Sequence, residues 1–145
     1  GEIGFVGYSE GIESKGTNPS EAERFNKESG VDALAISVGN THLQTKKISN
    51  IDTNLLKSIE KVTNIPLVLH GSSGIPVAIR KKLARETRVS KFNIGTEIRM
   101  TFGNSIRKKI NSDLNIYDRL ELLKTTIPEI KNVTSRIIKE IGPLK

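Results

Sequence analysis

Ile65 to Gly74 reads IPLVLHGSSG: a short apolar run, an imidazole at its end, then four small residues ahead of Pro76. Leucine, valine and leucine in unbroken succession suit a parallel strand covered on both faces, not an alternating, half-exposed one. The histidine and the glycine-serine turn fall where that strand stops. In parallel α/β folds the carboxyl ends of the strands are where ligands bind, so the same stretch predicts a fold class and the place of a site.

The segments on either side repeat the pattern. Upstream, Val31 to Val38 (VDALAISV) is another nearly unbroken apolar run, followed by a loop over Gly39 to Asn50. Asp52 can cap a helix in which Leu55, Leu56, Ile59 and Val62 fall at helical spacing. Further upstream, Glu2 to Val6 reads as a strand. After it, Asn18-Pro19-Ser20-Glu21 opens a helix that ends at Gly30. Downstream, Pro76 begins a helix carrying Val77, Ile79, Leu83 and Ala84, and Val89 to Thr96 (VSKFNIGT) is the last strand. A helix from about Glu97 to Asn111 follows, then two more after a break at Asp113 to Asn115. Strand, loop and helix in strict order predict α/β with a parallel sheet.

Four strands with three crossover helices make half of a (β/α)8 barrel, a fold that takes ~250 residues. A half barrel alone leaves two unpaired edges. Residues 1–145 are therefore expected to form one partial domain belonging to a longer protein.

Composition narrows the function classes. The chain has 145 residues, 35% hydrophobic and 27% charged, within the globular range. No run approaches the ~18 apolar residues of a membrane span, and the amino-terminal GEIGFVGYSE lacks the pattern of a secretion signal. No membrane association is expected. With no cysteine, disulfide frameworks, thiolate metal sites and cysteine nucleophiles are excluded, which fits a cytoplasmic chain. The net charge of +7 raises a nucleic-acid role, but the basic residues are scattered and only 4% of residues are aromatic, leaving few platforms for bases. No nucleic-acid partner is expected; a positive surface that attracts phosphorylated metabolites explains the same excess.

The chain has two histidines, His42 and His70, each at a strand end. Two imidazoles with a carboxylate or a third histidine make a catalytic zinc site, while two hydrogen-bonded surface histidines account for the same pattern. Gly71-Ser72-Ser73-Gly74 before a helix can present N–H groups and hydroxyls to a phosphate, with Asn93 and Thr96 as further donors, or can be only a turn. It lacks the Lys-Ser/Thr tail of a nucleotide loop. Lys46 is a candidate phosphate partner, and Glu2, Glu10 and Glu13 are candidate metal ligands or proton carriers. No His-Asp spacing supports a serine hydrolase.

These residues together resemble the class II, zinc-dependent fructose-bisphosphate aldolases and their tagatose-bisphosphate relatives, in their C-terminal half. The family's E-L-G strand, acidic glycine loop, T-x-P helix start, "gvDaLAvaiGtxHG", "iPLVLHGgSG" and "KiNixT" read here as Glu2-Ile3-Gly4, Gly7-Tyr8-Ser9-Glu10-Gly11, Thr17-Asn18-Pro19, GVDALAISVGNTH, IPLVLHGSSG and KFNIGT. The resemblance covers nearly the whole chain. It implies the C-terminal half of a (β/α)8 TIM barrel with extra C-terminal helices. His42 and His70 match two of three zinc histidines, and Glu2 a carboxylate of an alternative metal position. Gly71, Ser73, Asn93 and Thr96 match phosphate-binding positions, and Glu10 a loop acid that transfers a proton.

The implied activity is reversible aldol cleavage of a ketose 1,6-bisphosphate, fructose 1,6-bisphosphate foremost, to dihydroxyacetone phosphate and an aldehyde phosphate. Zn2+ would act as Lewis acid, with a monovalent cation near the phosphate, in a homo-oligomeric dimer or tetramer. Leu43 stands where the family has glycine, and Tyr8 and Gly11 depart from the acidic loop. The third zinc histidine and an aspartate belong to the family's N-terminal half. An aldolase-like fragment that binds sugar phosphates, or serves as an interaction module without turnover, is the alternative.

Overall fold

The structure is a computed structural model that describes residues 1–8 and 15–142. Four parallel strands form the central sheet: β1 (Glu2–Ile3), β3 (Leu34–Ile36), β5 (Leu67–Leu69) and β6 (Val89–Phe92). They lie in the order β1-β3-β5-β6, the order in which the chain visits this sheet. Helices α1 (Pro19–Ser29), α2 (Thr53–Val62) and α3 (Val77–Glu86) make the three crossovers. This is the predicted strand–helix alternation.

Each crossover helix starts for a local reason. The Asn18 side chain accepts from the N–H groups of Ser20 and Glu21, and that of Asp52 from Asn54 and Leu55, so orphan amides of both first turns are satisfied. Helix α1 ends on Gly30 in the left-handed region. Ala22, Leu56, Ile59 and Leu83 turn inward onto Leu34, Ile36, Leu67, Leu69 and Val89, and these residues form one buried cluster. All three residues of β3 and of β5 are buried, as strands covered on both faces must be.

The strands are shorter than the apolar runs that announce them. Beyond β1 and β3 the chain pairs again as a separate two-stranded parallel ladder, β2 (Gly7–Tyr8) with β4 (Thr41–His42). The last strand stops at Phe92, and Thr96 opens α4 (Thr96–Ser112), so Thr96 is a helix residue and not a strand end. Helices α5 (Arg119–Lys124) and α6 (Thr126–Ile141) follow. Helix α6 packs against both α4 and α3. Among the described residues no helix is long and apolar enough to cross a membrane.

Candidate functional site at the carboxyl ends of the strands

The loop after β3 is held by a buried amide. Asn40 is fully buried; its Oδ1 accepts from the Val38 N–H at 2.7 Å, and its Nδ2 donates to the carbonyls of Ile36 at 3.3 Å and His70 at 3.0 Å. One side chain thus closes the end of β3 and fastens it to the end of β5. This brings His42 to His70, with ring centroids 5.8 Å apart and planes inclined at 71°. Glu2 is the first residue of β1 and not at its carboxyl end, where the sequence placed it, yet its side chain reaches His70, with Oε1 3.7 Å from Nδ1. That is too long for a hydrogen bond but near enough for the charge to be felt.

Burial lowers the pKa of His42, the neighbouring His70 lowers it further, and Glu2 pulls the other way. The net effect favours the neutral imidazole, the form that ligates metals. A tetrahedral zinc with Zn–N bonds of ~2.0–2.1 Å sets two imidazole centroids about 5 Å apart. The observed separation of 5.8 Å is near that spacing. Among the described residues no group of three or more His, Asp or Glu is placed to hold a metal ion.

Gly71 starts the adjacent turn in the left-handed region, with φ of 62°, and Ser72–Gly74 form one turn of 3-10 helix. An added Cβ at Gly71 would sit 2.2 Å from the Thr41 carbonyl oxygen, so the absence of a side chain lets the turn lie against the backbone that carries His42. Ser72 Oγ donates to the Leu69 carbonyl at 2.8 Å. The Ser73 hydroxyl accepts the Glu97 N–H at 3.1 Å, capping α4 from outside and leaving its own O–H to donate.

His42, His70, Gly71 and Ser73 line an open hollow of about 340 Å³, together with Leu43, Asn93, Thr96 and Arg99. The sequence-predicted metal and phosphate residues therefore share one mouth, with Glu2 beside it on His70. Lys46 is exposed and does not line the hollow. It is Lys47 that reaches the turn, donating to the Ser73 carbonyl at 3.4 Å and to Glu97 at 2.9 Å. Glu10 and Glu13 lie outside the described residues.

Sequence reasoning missed Asn40, Arg99 and Glu97. Arg99 was legible in principle, one helical turn beyond Thr96, and its guanidinium donates to Thr96 Oγ1 at 3.3 Å. Leu43 was singled out as a departure, and the structure adds that its backbone is left-handed, with φ of 57°. A second hollow, about 470 Å³, lies at the opposite ends of the strands between Lys57, Lys61, Arg85 and Arg88. Its Glu60 is engaged by Arg88, and ligand sites in such folds lie at the other face.

Comparisons with known proteins bear on the family and the fold. The sequence model of one family, described as fructose-bisphosphate aldolase class-II, matches residues 1–143. A fructose-bisphosphate aldolase of Helicobacter pylori strain J99 is 33% identical over a 147-residue alignment covering 86% of this chain and 48% of that protein. The chain thus spans about half the length of the curated relatives it matches. Among solved structures, the YdjI aldolase of Escherichia coli K12 superposes with a TM-score of 0.71 at 26% identity, over 88% of this chain and 44% of that one. A putative fructose-1,6-bisphosphate aldolase of Coccidioides immitis superposes with a TM-score of 0.79 at 24% identity, over 97% of this chain and 50% of that one, a likeness of fold. These neighbours have the TIM-barrel fold, and this chain corresponds to about half of it.

Proposed function

Since the chain belongs to the class II fructose-bisphosphate aldolase family, we propose that it forms the C-terminal half of a zinc-dependent ketose-bisphosphate aldolase, with fructose 1,6-bisphosphate as the substrate. The observation that carries this reading is the convergence of two imidazoles and a glycine-serine turn on one hollow. His42 and His70 would hold the zinc, with further ligation from outside the described residues. Bound there, the metal would supply Lewis-acid polarisation of the ketone carbonyl.

The chain's own residues account for the rest of the binding. The Ser73 hydroxyl and the Asn93 amide face the hollow and are of the right type to donate to phosphate oxygens. Thr96 stands at the N-terminus of the 17-residue helix α4, where an anion is favoured. Arg99 adds a positive charge at the rim, and the overall +7 draws phosphorylated substrate toward it. Glu10 is assigned the proton transfer on the strength of the family resemblance.

Two alanine substitutions in the intact enzyme separate the parts of this reading. His42→Ala is expected to abolish tight zinc binding, measured as metal content after dialysis. Ser73→Ala is expected to leave zinc bound and to raise KM for the bisphosphate about tenfold or more, the worth of a hydrogen bond to a charged group. Unchanged zinc in the first and unchanged KM in the second would sink the assignment. A second reading, a sugar-phosphate binder without turnover, is favoured by Leu43, whose isobutyl group faces the hollow. Phosphate binding with no aldol cleavage would select it.

A further inference from the structure

Arg80 lies on α3, outside the hollow, and its side chain has no solvent exposure. One guanidinium nitrogen donates to the Ser72 carbonyl at 3.4 Å and to Glu97 Oε2 at 3.0 Å; the other donates to Glu140 near the end of α6. Glu97 is the second residue of α4, beside Thr96, and its backbone N–H is the one held by Ser73 Oγ. Its carboxylate also receives Lys47 at 2.9 Å and Arg136 of α6 at 3.0 Å. Arg136 in turn reaches Glu140 at 3.5 Å. A single buried cation therefore joins the Ser72–Gly74 turn, the head of α4 and the tail of α6.

Such a cation is a costly way to fill space. A buried ion pair is often no more stabilising than apolar residues of the same volume, so its presence calls for something that an apolar side chain does not supply. Here the fork supplies direction: it fixes the Ser72 carbonyl and the Glu97 carboxylate relative to each other across separate elements. Ser73 and Thr96, the neighbours of those two residues, are the ones that face the hollow. Among the described residues Arg80 Nε has no partner, so the fork is committed entirely through its two terminal nitrogens.

Building on the phosphate site proposed above, we infer that Arg80 is a positioning residue for it, acting through Ser72 and Glu97, and that Glu140 aims Arg80, so that α6 sets the grip on phosphate. Arg80 itself touches no ligand. Loosening the fork should displace Ser73 and Thr96 by a fraction of an ångström and weaken anion binding, with the metal end unaltered.

The test uses Arg80→Lys, which keeps the charge but not the fork, and Glu140→Gln, which keeps the shape but not the charge, in the intact enzyme. Inorganic phosphate binding, KM for the bisphosphate, kcat, zinc content and Tm are read for each. Both variants are expected to raise the phosphate Kd and KM about five- to twentyfold, with kcat within about twofold and zinc unchanged. Glu140→Asp should recover part of the loss, and Glu140→Gln combined with Ser73→Ala should cost less than the sum of the two. If Arg80→Lys does not fold, Glu140→Gln alone decides. A lower Tm with unchanged Kd and KM would make the cluster purely structural and overturn the inference. If Ser73→Ala raises KM but neither variant does, only the positioning role fails. If Ser73→Ala leaves KM unchanged, the phosphate reading itself fails, and this inference with it.

Discussion

The two ends of the hollow are built to different standards. At the end proposed for phosphate, the turn rests on side chains that water barely reaches: Arg80 is unexposed, Glu140 is 9% exposed and Glu97 12%. Their polar contacts close at about hydrogen-bond length. At the imidazole end, Glu2 is 50% exposed, His70 25%, and the ion-pair distance between them is 3.7 Å. A buried network over-determines the position of each of its members, whereas more exposed groups in looser contact retain freedom. The difference teaches that the glycine-serine turn proposed to hold phosphate is fixed by buried charge, whereas the two imidazoles proposed to hold a metal are held more loosely.

Gly71 joins the two ends, and breaking it should produce the largest effect. Gly71→Ala puts a Cβ against the Thr41 carbonyl and a side chain in the left-handed region, for an expected loss of about 2–4 kcal/mol by denaturant titration. Gly30 provides the control. Its φ of 63° is nearly the same, but nothing lies within 4 Å of an added Cβ, so Gly30→Ala should cost only about 1 kcal/mol. Equal losses at the two positions would mean that the turn does not depend on its contact with the His42 strand.

Acid should loosen the phosphate end on its own schedule. Burial raises the Glu97 carboxyl pKa, but the hydrogen bonds and charges of Lys47 and Arg80 outweigh it and hold it below the ordinary 4.5. A carboxylate held low in the folded state contributes stability above its unfolded pKa and loses that contribution as pH falls through the folded value. Tm should therefore drop below about pH 4.5, and Glu97→Gln should remove part of that acid-side slope while lowering Tm near neutrality. Parallel Tm–pH curves for the two proteins would refute the coupling.

The smallest effect is expected at Leu43, an exposed residue of the hollow's lining. Leu43→Gly relieves a left-handed backbone but frees the unfolded chain, so stability should change by no more than about 1 kcal/mol. With the isobutyl group gone from the hollow, inorganic phosphate should bind about two- to fivefold more tightly. Weaker binding would show that Leu43 contributes to the site and does not crowd it.

Much of the fold and part of the site were legible in the chain because their causes are local. The Asn18 and Asp52 caps, the Gly30 stop and the apolar runs around Leu34 and Leu67 each depend on a few adjacent residues. His42 and His70 were findable because each follows such a run, and the glycine-serine turn because its residue types are themselves the signal. The buried charged cluster was not findable, since Arg80 meets Glu97 and Glu140 across 17 and 60 residues. Nothing in their neighbourhoods distinguishes these side chains from the solvated faces of ordinary helices. The same holds for Lys46 and Lys47: adjacent and chemically equivalent in sequence, they part only when the loop folds and sends Lys47 to the turn.

The sequence by itself thus determined the order of strands and helices, the family, and the strand ends at which chemistry gathers, all of which follow from periodicity, capping and short motifs. Only the tertiary structure decided which charges leave water, which lysine reaches the turn, that Asn40 ties the ends of β3 and β5 together, and that α6 is fastened to the glycine-serine turn through Arg80. Those outcomes depend on how distant elements pack, and burial, which turns an ordinary surface arginine into a fixed fork, is a property of the packed whole.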